Sequence, residues 1–130
     1  MVGRDGCRVP IPWTGDAPPY GFGPGTGQPW IPQPKDWKAL TVEAQASDPS
    51  STLSFYKAAL AARRAHAVSV DEQVEILDSG EDVLCFARGP LTVVLNAGSK
   101  PVPLPPGEML VASGALKGRL LPPDTAAWLR

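Results

Sequence analysis

Two hydrophobic periods divide the chain. From Leu53, residues recur at helical spacing through Tyr56, Leu60 and Arg64, and Phe55, Ala59 and Ala62 widen the apolar stripe. Asp48 stands where an N-cap would, Pro49 where the first helical position tolerates proline, and Ser50-Ser51-Thr52 lead in. The spacing predicts a helix over Pro49–His66, with Ser54, Lys57 and the pair Arg63-Arg64 facing water or capping the C-terminal dipole. Such an amphipathic helix needs a partner surface.

Beyond the helix the period becomes two. Val74-Glu75-Ile76, Val83 to Ala87, Leu91 to Leu95, Glu108 to Ala112 and Ala126 to Leu129 read as short strands. Asp78-Ser79-Gly80, Gly89-Pro90, Asn96-Ala97-Gly98, Pro105-Pro106-Gly107 and Pro122-Pro123-Asp124 separate them as turns. An antiparallel sheet or small sandwich of about five to seven strands is expected. Pro101, Pro103, Pro105 and Pro106 must lie on an edge or in a connection, because proline donates nothing to a central ladder.

Before the helix neither period is present. Nine of the 16 prolines (Pro10, Pro12, Pro18, Pro19, Pro24, Pro29, Pro32, Pro34, Pro49) and seven of the 13 glycines fall between Met1 and Pro49, the first predicted helical position. Proline fixes its own φ and pushes the preceding residue out of the helical region, so no helix and no long strand is expected there. Disorder is the plain alternative. Against it stand Trp13, Tyr20, Phe22, Trp30, Ile31 and Trp37, since large aromatic side chains on an irregular backbone normally pack onto something. The expected form is a functional loop laid over a larger scaffold, which this sequence does not contain. The fold class is therefore α+β, an irregular Pro/Gly-rich loop (1–48) and one helix (49–67) followed by an antiparallel β-sandwich domain (68–130).

Composition narrows the function. The 130 residues carry 12 Lys+Arg against 13 Asp+Glu, a net charge of -1, with no basic run, so neither nucleic acid nor an anionic membrane surface is an expected partner. The apolar runs fall far short of the ~20 residues that span a bilayer, and the first residues show no apolar signal core. Cys7 and Cys85, far apart, suit free thiols in a reducing compartment, which makes the chain cytoplasmic by expectation.

Most candidate chemistry has a simpler explanation. His66, the single histidine, falls at a helix end without a nucleophile elbow beside it, and two cysteines with one histidine do not make a zinc site, so no metal or cofactor is expected. The acidic pairs Asp71-Glu72 and Glu81-Asp82 lie beside turns and read as solvated hairpin ends rather than as paired glycosidase acids. Gly21-Phe22-Gly23-Pro24-Gly25-Thr26-Gly27 lacks the flanking strand, helix and Lys of a phosphate loop and reads as a flexible turn. What remains is Arg4-Asp5-Gly6-Cys7-Arg8-Val9-Pro10-Ile11-Pro12-Trp13. Two guanidinium groups around one carboxylate form either a forked-donor cluster for a polyhydroxylated ligand or a salt bridge that staples the loop.

The same run resembles the Arg-Asp-x-x-Arg-Thr-Pro-Met-x-Trp segment of α-glucosidases and oligo-1,6-glucosidases of the α-amylase family of glycoside hydrolases. Pro29-Trp30-Ile31-Pro32 and Val42-Glu43-Ala44-Gln45 are similar to the next loop of those enzymes, Asp48 to Arg64 to the last helix of their barrel, and the remainder to their maltogenic-amylase-type C-terminal β domain. Val9, Ile11 and Pro12 stand where the family more often has Thr, Met and Gln.

The resemblance implies an active-site loop and closing helix of a (β/α)8 barrel, a fold that takes about 250 residues and so must lie mostly outside this chain. The catalytic acids would lie on earlier strands, so no catalytic residue is assigned and the chain alone is expected to be inactive. Arg8 matches the family arginine that helps form the floor of the subsite for the non-reducing terminal glucose; Arg4 and Asp5 would shape that loop. The implied partner is an α-glucoside oligosaccharide, bound by the complete enzyme. Two rivals stand beside this reading: a free-standing β-rich carbohydrate-binding or interaction module stacking sugars on Trp13, Trp30 and Trp37, and a sibling trehalose synthase or sucrose isomerase.

Overall fold

The computed structural model describes residues 3–24, 27, 29–67 and 73–130. Asp71-Glu72, together with Gly25 and Thr26 of the glycine-rich run, lies outside them. The chain forms two compact units, Met1–Tyr56 and Lys57–Arg130, and the division falls inside a helix.

In the first unit the backbone is mostly irregular. It holds 3-10 turns at Asp5–Cys7 and Trp37–Leu40 and a short helix α1, Val42–Ala46. No helix was expected among so many prolines, yet none of them falls between Pro34 and Pro49, and Thr41 caps α1 by accepting from the Ala44 N–H. The long helix α2 runs over Thr52–His66 and so starts three residues later than the predicted Pro49. Its N-cap is Ser51, whose hydroxyl accepts from the Ser54 N–H at 3.1 Å, rather than Asp48, whose carboxylate takes the Ser50 N–H and hydroxyl in a turn of its own. Those donors hold the Asp48 carboxyl below its usual pKa. Ser54 does not face open water either: its hydroxyl donates to the Asp48 carbonyl at 2.8 Å. Arg63, Arg64 and His66 occupy the last turn, as the dipole favours. No residue of α2 is buried, and Tyr56 and Leu60 stand exposed four positions apart.

The second unit carries the expected sheet. Strands β1 (Glu75–Leu77), β2 (Val83–Arg88), β3 (Leu91–Asn96), β5 (Met109–Ala112) and β7 (Thr125–Leu129) pair antiparallel in the order β1-β2-β3-β7-β5. Register places Leu77, Cys85, Val94, Ala127 and Ala112 in one row across all five strands. That row is the core face. Cys85, Val94 and Ala127 cluster there with Leu104, Leu121 and Leu129. Burial also raises the Cys85 thiol pKa.

A two-stranded ribbon of β4 (Val102–Pro103) and β6 (Leu120–Leu121) was not expected from the sequence. Each strand is two residues long, too short for alternation to register. Pro103 has its ladder partner on one side only, which agrees with the edge position its missing N–H requires. Asn96, fully buried, ties ribbon to sheet: its Nδ2 donates to the Lys100 and Leu121 carbonyls and its Oδ1 accepts from Gly98 N–H at 3.0 Å. Gly107 has φ +138, and a Cβ there would stand 2.9 Å from the Arg130 carbonyl oxygen, so only glycine fits this turn. Glu81 and Asp82 lie exposed at the entry to β2.

Candidate functional site

Arg4, Asp5 and Arg8 occupy a single 3-10 turn. Arg4 precedes it, Asp5 opens it, and the Arg8 N–H closes it by donating to the Asp5 carbonyl at 3.0 Å. Cys7 Sγ lies inside the turn and donates to the Arg4 carbonyl at 3.0 Å. Arg4, Asp5 and Arg8 are all exposed, and among the described residues Asp5 makes no ion pair with either arginine. A salt bridge therefore does not staple this loop, and its guanidinium donors are left for other partners.

Other residues hold the loop. Tyr20, 1% exposed, is its anchor: its carbonyl accepts from the Trp13 and Thr14 N–H groups, and its hydroxyl reaches the Pro34 and Lys35 carbonyls at 3.1 and 2.8 Å. A cis Pro18-Pro19 bond precedes it. Gln33, also buried, donates from Nε2 to the Pro10 carbonyl at 3.0 Å, while its Oε1 has no partner among the described residues. An orphaned buried acceptor costs about 1–3 kcal/mol, so this amide suits a donor arriving from outside the described residues.

Glu43 joins the loop to α1. The Val42 and Glu43 N–H groups donate to the Pro12 and Trp13 carbonyls at 3.0 Å each. The Glu43 carboxylate accepts from the Thr14 hydroxyl and from the Gly15 N–H at 3.3 Å, and these donors lower its pKa against the opposing charge of Asp16. Asp16 is itself paired with Lys38 at 2.8 Å, which raises the Lys38 pKa. Glu43, Asp16 and Lys38 line an open groove of about 450 Å³ together with Gly15, Thr41 and Ser47. None of Arg4, Asp5 and Arg8 lines it.

Sequence reasoning brought the three charged residues to one loop and missed Tyr20, Gln33 and Glu43 as its fasteners. Thr41 ahead of Val42-Glu43-Ala44 was the usable sign, an N-cap residue before a helical first turn. No pattern links Thr14 to Glu43, 29 positions away. Of the three tryptophans proposed as platforms, Trp30 is 99% and Trp13 48% exposed, while Trp37 is half-buried in the second 3-10 turn. No described helix is long and apolar enough to cross a membrane.

A probable alpha-glucosidase of Rhizobium meliloti (strain 1021) is 35% identical over 86 residues, which is 66% of this chain and 15% of that protein. An oligo-1,6-glucosidase of Parageobacillus thermoglucosidasius is 38% identical over 68 residues, 52% of this chain and 12% of that protein. Among solved structures, the alpha-glucosyl transfer enzyme XgtA superposes with a TM-score of 0.68 at 34% identity, covering 98% of this chain and 26% of that one. The trehalose-6-phosphate hydrolase of Bacillus licheniformis shares the fold, with a TM-score of 0.71 at 21% identity over 97% of this chain and 26% of that one. The chain thus spans about a seventh of these curated relatives and about a quarter of these solved chains. Residues 1–72 match the profile of the alpha amylase catalytic domain, more than half of the chain, and on that ground the chain belongs to the alpha-amylase family.

Proposed function

We propose that this chain forms the end of the catalytic domain and the adjoining β domain of a retaining α-glucosidase acting on short α-glucosides. In this reading residues 1–48 are the active-site loop, 49–67 the last barrel helix and 68–130 the C-terminal β domain, the first two packing on a (β/α)8 barrel supplied by the rest of the protein. Arg8 binds substrate: its planar fork of N–H donors matches adjacent sugar hydroxyls and an ionised carboxylate from the barrel. Arg4 and Asp5 shape the turn around it. The carboxylic acids that protonate the leaving oxygen and form the glycosyl intermediate belong to the rest of the protein, so the 130 residues alone hydrolyse nothing. Two free thiols, one of them exposed, support a reducing cytoplasm as the compartment.

The observation that carries this reading is the Arg4–Arg8 turn, whose guanidinium groups make no ion pair with Asp5 among the described residues, within a segment matched by the catalytic-domain profile. Its test is Arg8→Ala in the full-length enzyme with 4-nitrophenyl α-glucoside. A contact to the reacting glucose predicts a loss of at least about tenfold in kcat/KM, equivalent to ~1.4 kcal/mol of transition-state binding. Unchanged kinetics would remove Arg8 from the site.

A second outcome for the same intermediate is favoured by the 34% identity to the glucosyl transfer enzyme over nearly the whole chain. A covalent glycosyl-enzyme is resolved by water or by an acceptor hydroxyl with the same machinery. The ratio of free glucose to glucosylated acceptor, measured with an added alcohol, decides between hydrolysis and transfer.

A further inference from the structure

Binding of sugar by Arg8 requires an irregular loop to hold a guanidinium still. Resting on that functional reading, we infer that Glu43 is the positioning residue for Arg8. Its backbone and that of Val42 bridge to Trp13 and Pro12, while its carboxylate accepts from the Thr14 hydroxyl and the Gly15 N–H. Four consecutive residues, Pro12 to Gly15, are thereby tied to the first turn of α1.

Between this anchored stretch and Arg8 lie only Val9, Pro10 and Ile11. The ring of Pro10 fixes one of the intervening φ angles and that of Pro12 the first of the anchored stretch, Pro12 is buried, and the Pro10 carbonyl is held by Gln33 at 3.0 Å. A stiff spacer anchored at one end transmits the placement of that end. Because Arg8 makes no ion pair with its neighbour Asp5 among the described residues, its aim depends on this spacer. Misplacing a binding group by 1 Å costs on the order of 100-fold in rate, so a fastener two elements away from the sugar is felt in turnover.

The test is a double-mutant cycle in the full-length enzyme. Glu43→Ala is expected to lower kcat/KM about tenfold in the wild-type background, and by less than about twofold once Arg8 is already Ala, because a residue that acts through another adds nothing when that one is gone. Glu43→Gln retains an acceptor oxygen for Thr14 and Gly15 and is expected to recover to within about threefold of wild type. Should Glu43→Ala fail to fold, Thr14→Val removes the same contact from the other side and carries the cycle, with an expected loss of about threefold. Losses that add in the Arg8→Ala background overturn the inference, as does a Glu43→Ala enzyme of full activity beside an impaired Arg8→Ala enzyme. An Arg8→Ala enzyme with wild-type kcat/KM overturns both the inference and the functional reading beneath it.

Discussion

The two units of this chain are held together by different means. In Lys57–Arg130, backbone ladders run through five strands and an apolar cluster fills one face, with Leu121, Ala127 and Leu129 fully buried. In Met1–Tyr56, hydrogen bonds from side chains to distant backbone do the holding, and among the described residues Tyr20 is the one large aromatic side chain buried there. Trp13, Phe22 and Trp30 remain 48%, 46% and 99% exposed. The sheet satisfies its own backbone and buries the apolar row of one face, while Ile76, Leu84 and Leu95 on the other stay 68%, 45% and 38% exposed. The loop is fastened at its backbone but leaves these aromatic side chains uncovered, a surface that the proposed packing on a barrel would use.

Mutation separates the two regimes. Leu129→Ala empties a fully buried position on β7, between β3 and β5, and should cost about 2–5 kcal/mol, read as a lower urea midpoint of the sheet. A small effect would mean that the sheet is not an independent core. Tyr20→Phe removes a hydroxyl placed to donate to two carbonyls and should cost about 1 kcal/mol. Faster amide exchange at Trp13 and Thr14, whose N–H groups bond to the Tyr20 carbonyl, with an unchanged sheet midpoint would confine the effect to the loop.

Acid should loosen the loop next. The Thr14 hydroxyl and Gly15 N–H pull the Glu43 pKa below its ordinary 4.5, so protonation is harder in the folded loop than in the unfolded chain. The stabilisation is complete above the ordinary value and is lost as pH falls through the lower folded one. The Gly15 amide resonance should therefore titrate with a midpoint under 4.5, against the opposing charge of Asp16, and Glu43→Gln should abolish that titration. The smallest effect is Lys38→Met. Its pair with Asp16 has side chains 67% and 78% exposed, so the change should cost the loop less stability than Tyr20→Phe does. A larger loss would make the groove floor, rather than Glu43, the fastener of the loop.

The sequence by itself determined the elements whose signal is local. Alternation marked the five main strands, Gly-Pro and Asn-Ala-Gly marked their turns, and apolar spacing marked α2. It also brought Arg4, Asp5 and Arg8 into one turn, because four residues apart on a turn is near in space whatever the rest of the chain does. Tertiary structure decided the rest. Ser51 became the helix cap because Asp48 was already engaged by Ser50, β4 and β6 exist only through each other and Asn96, and Glu43 found Thr14 across 29 residues. Contacts of this kind leave no period behind them: each is a single donor meeting a single acceptor after the chain has turned, and only the folded path sets which two meet.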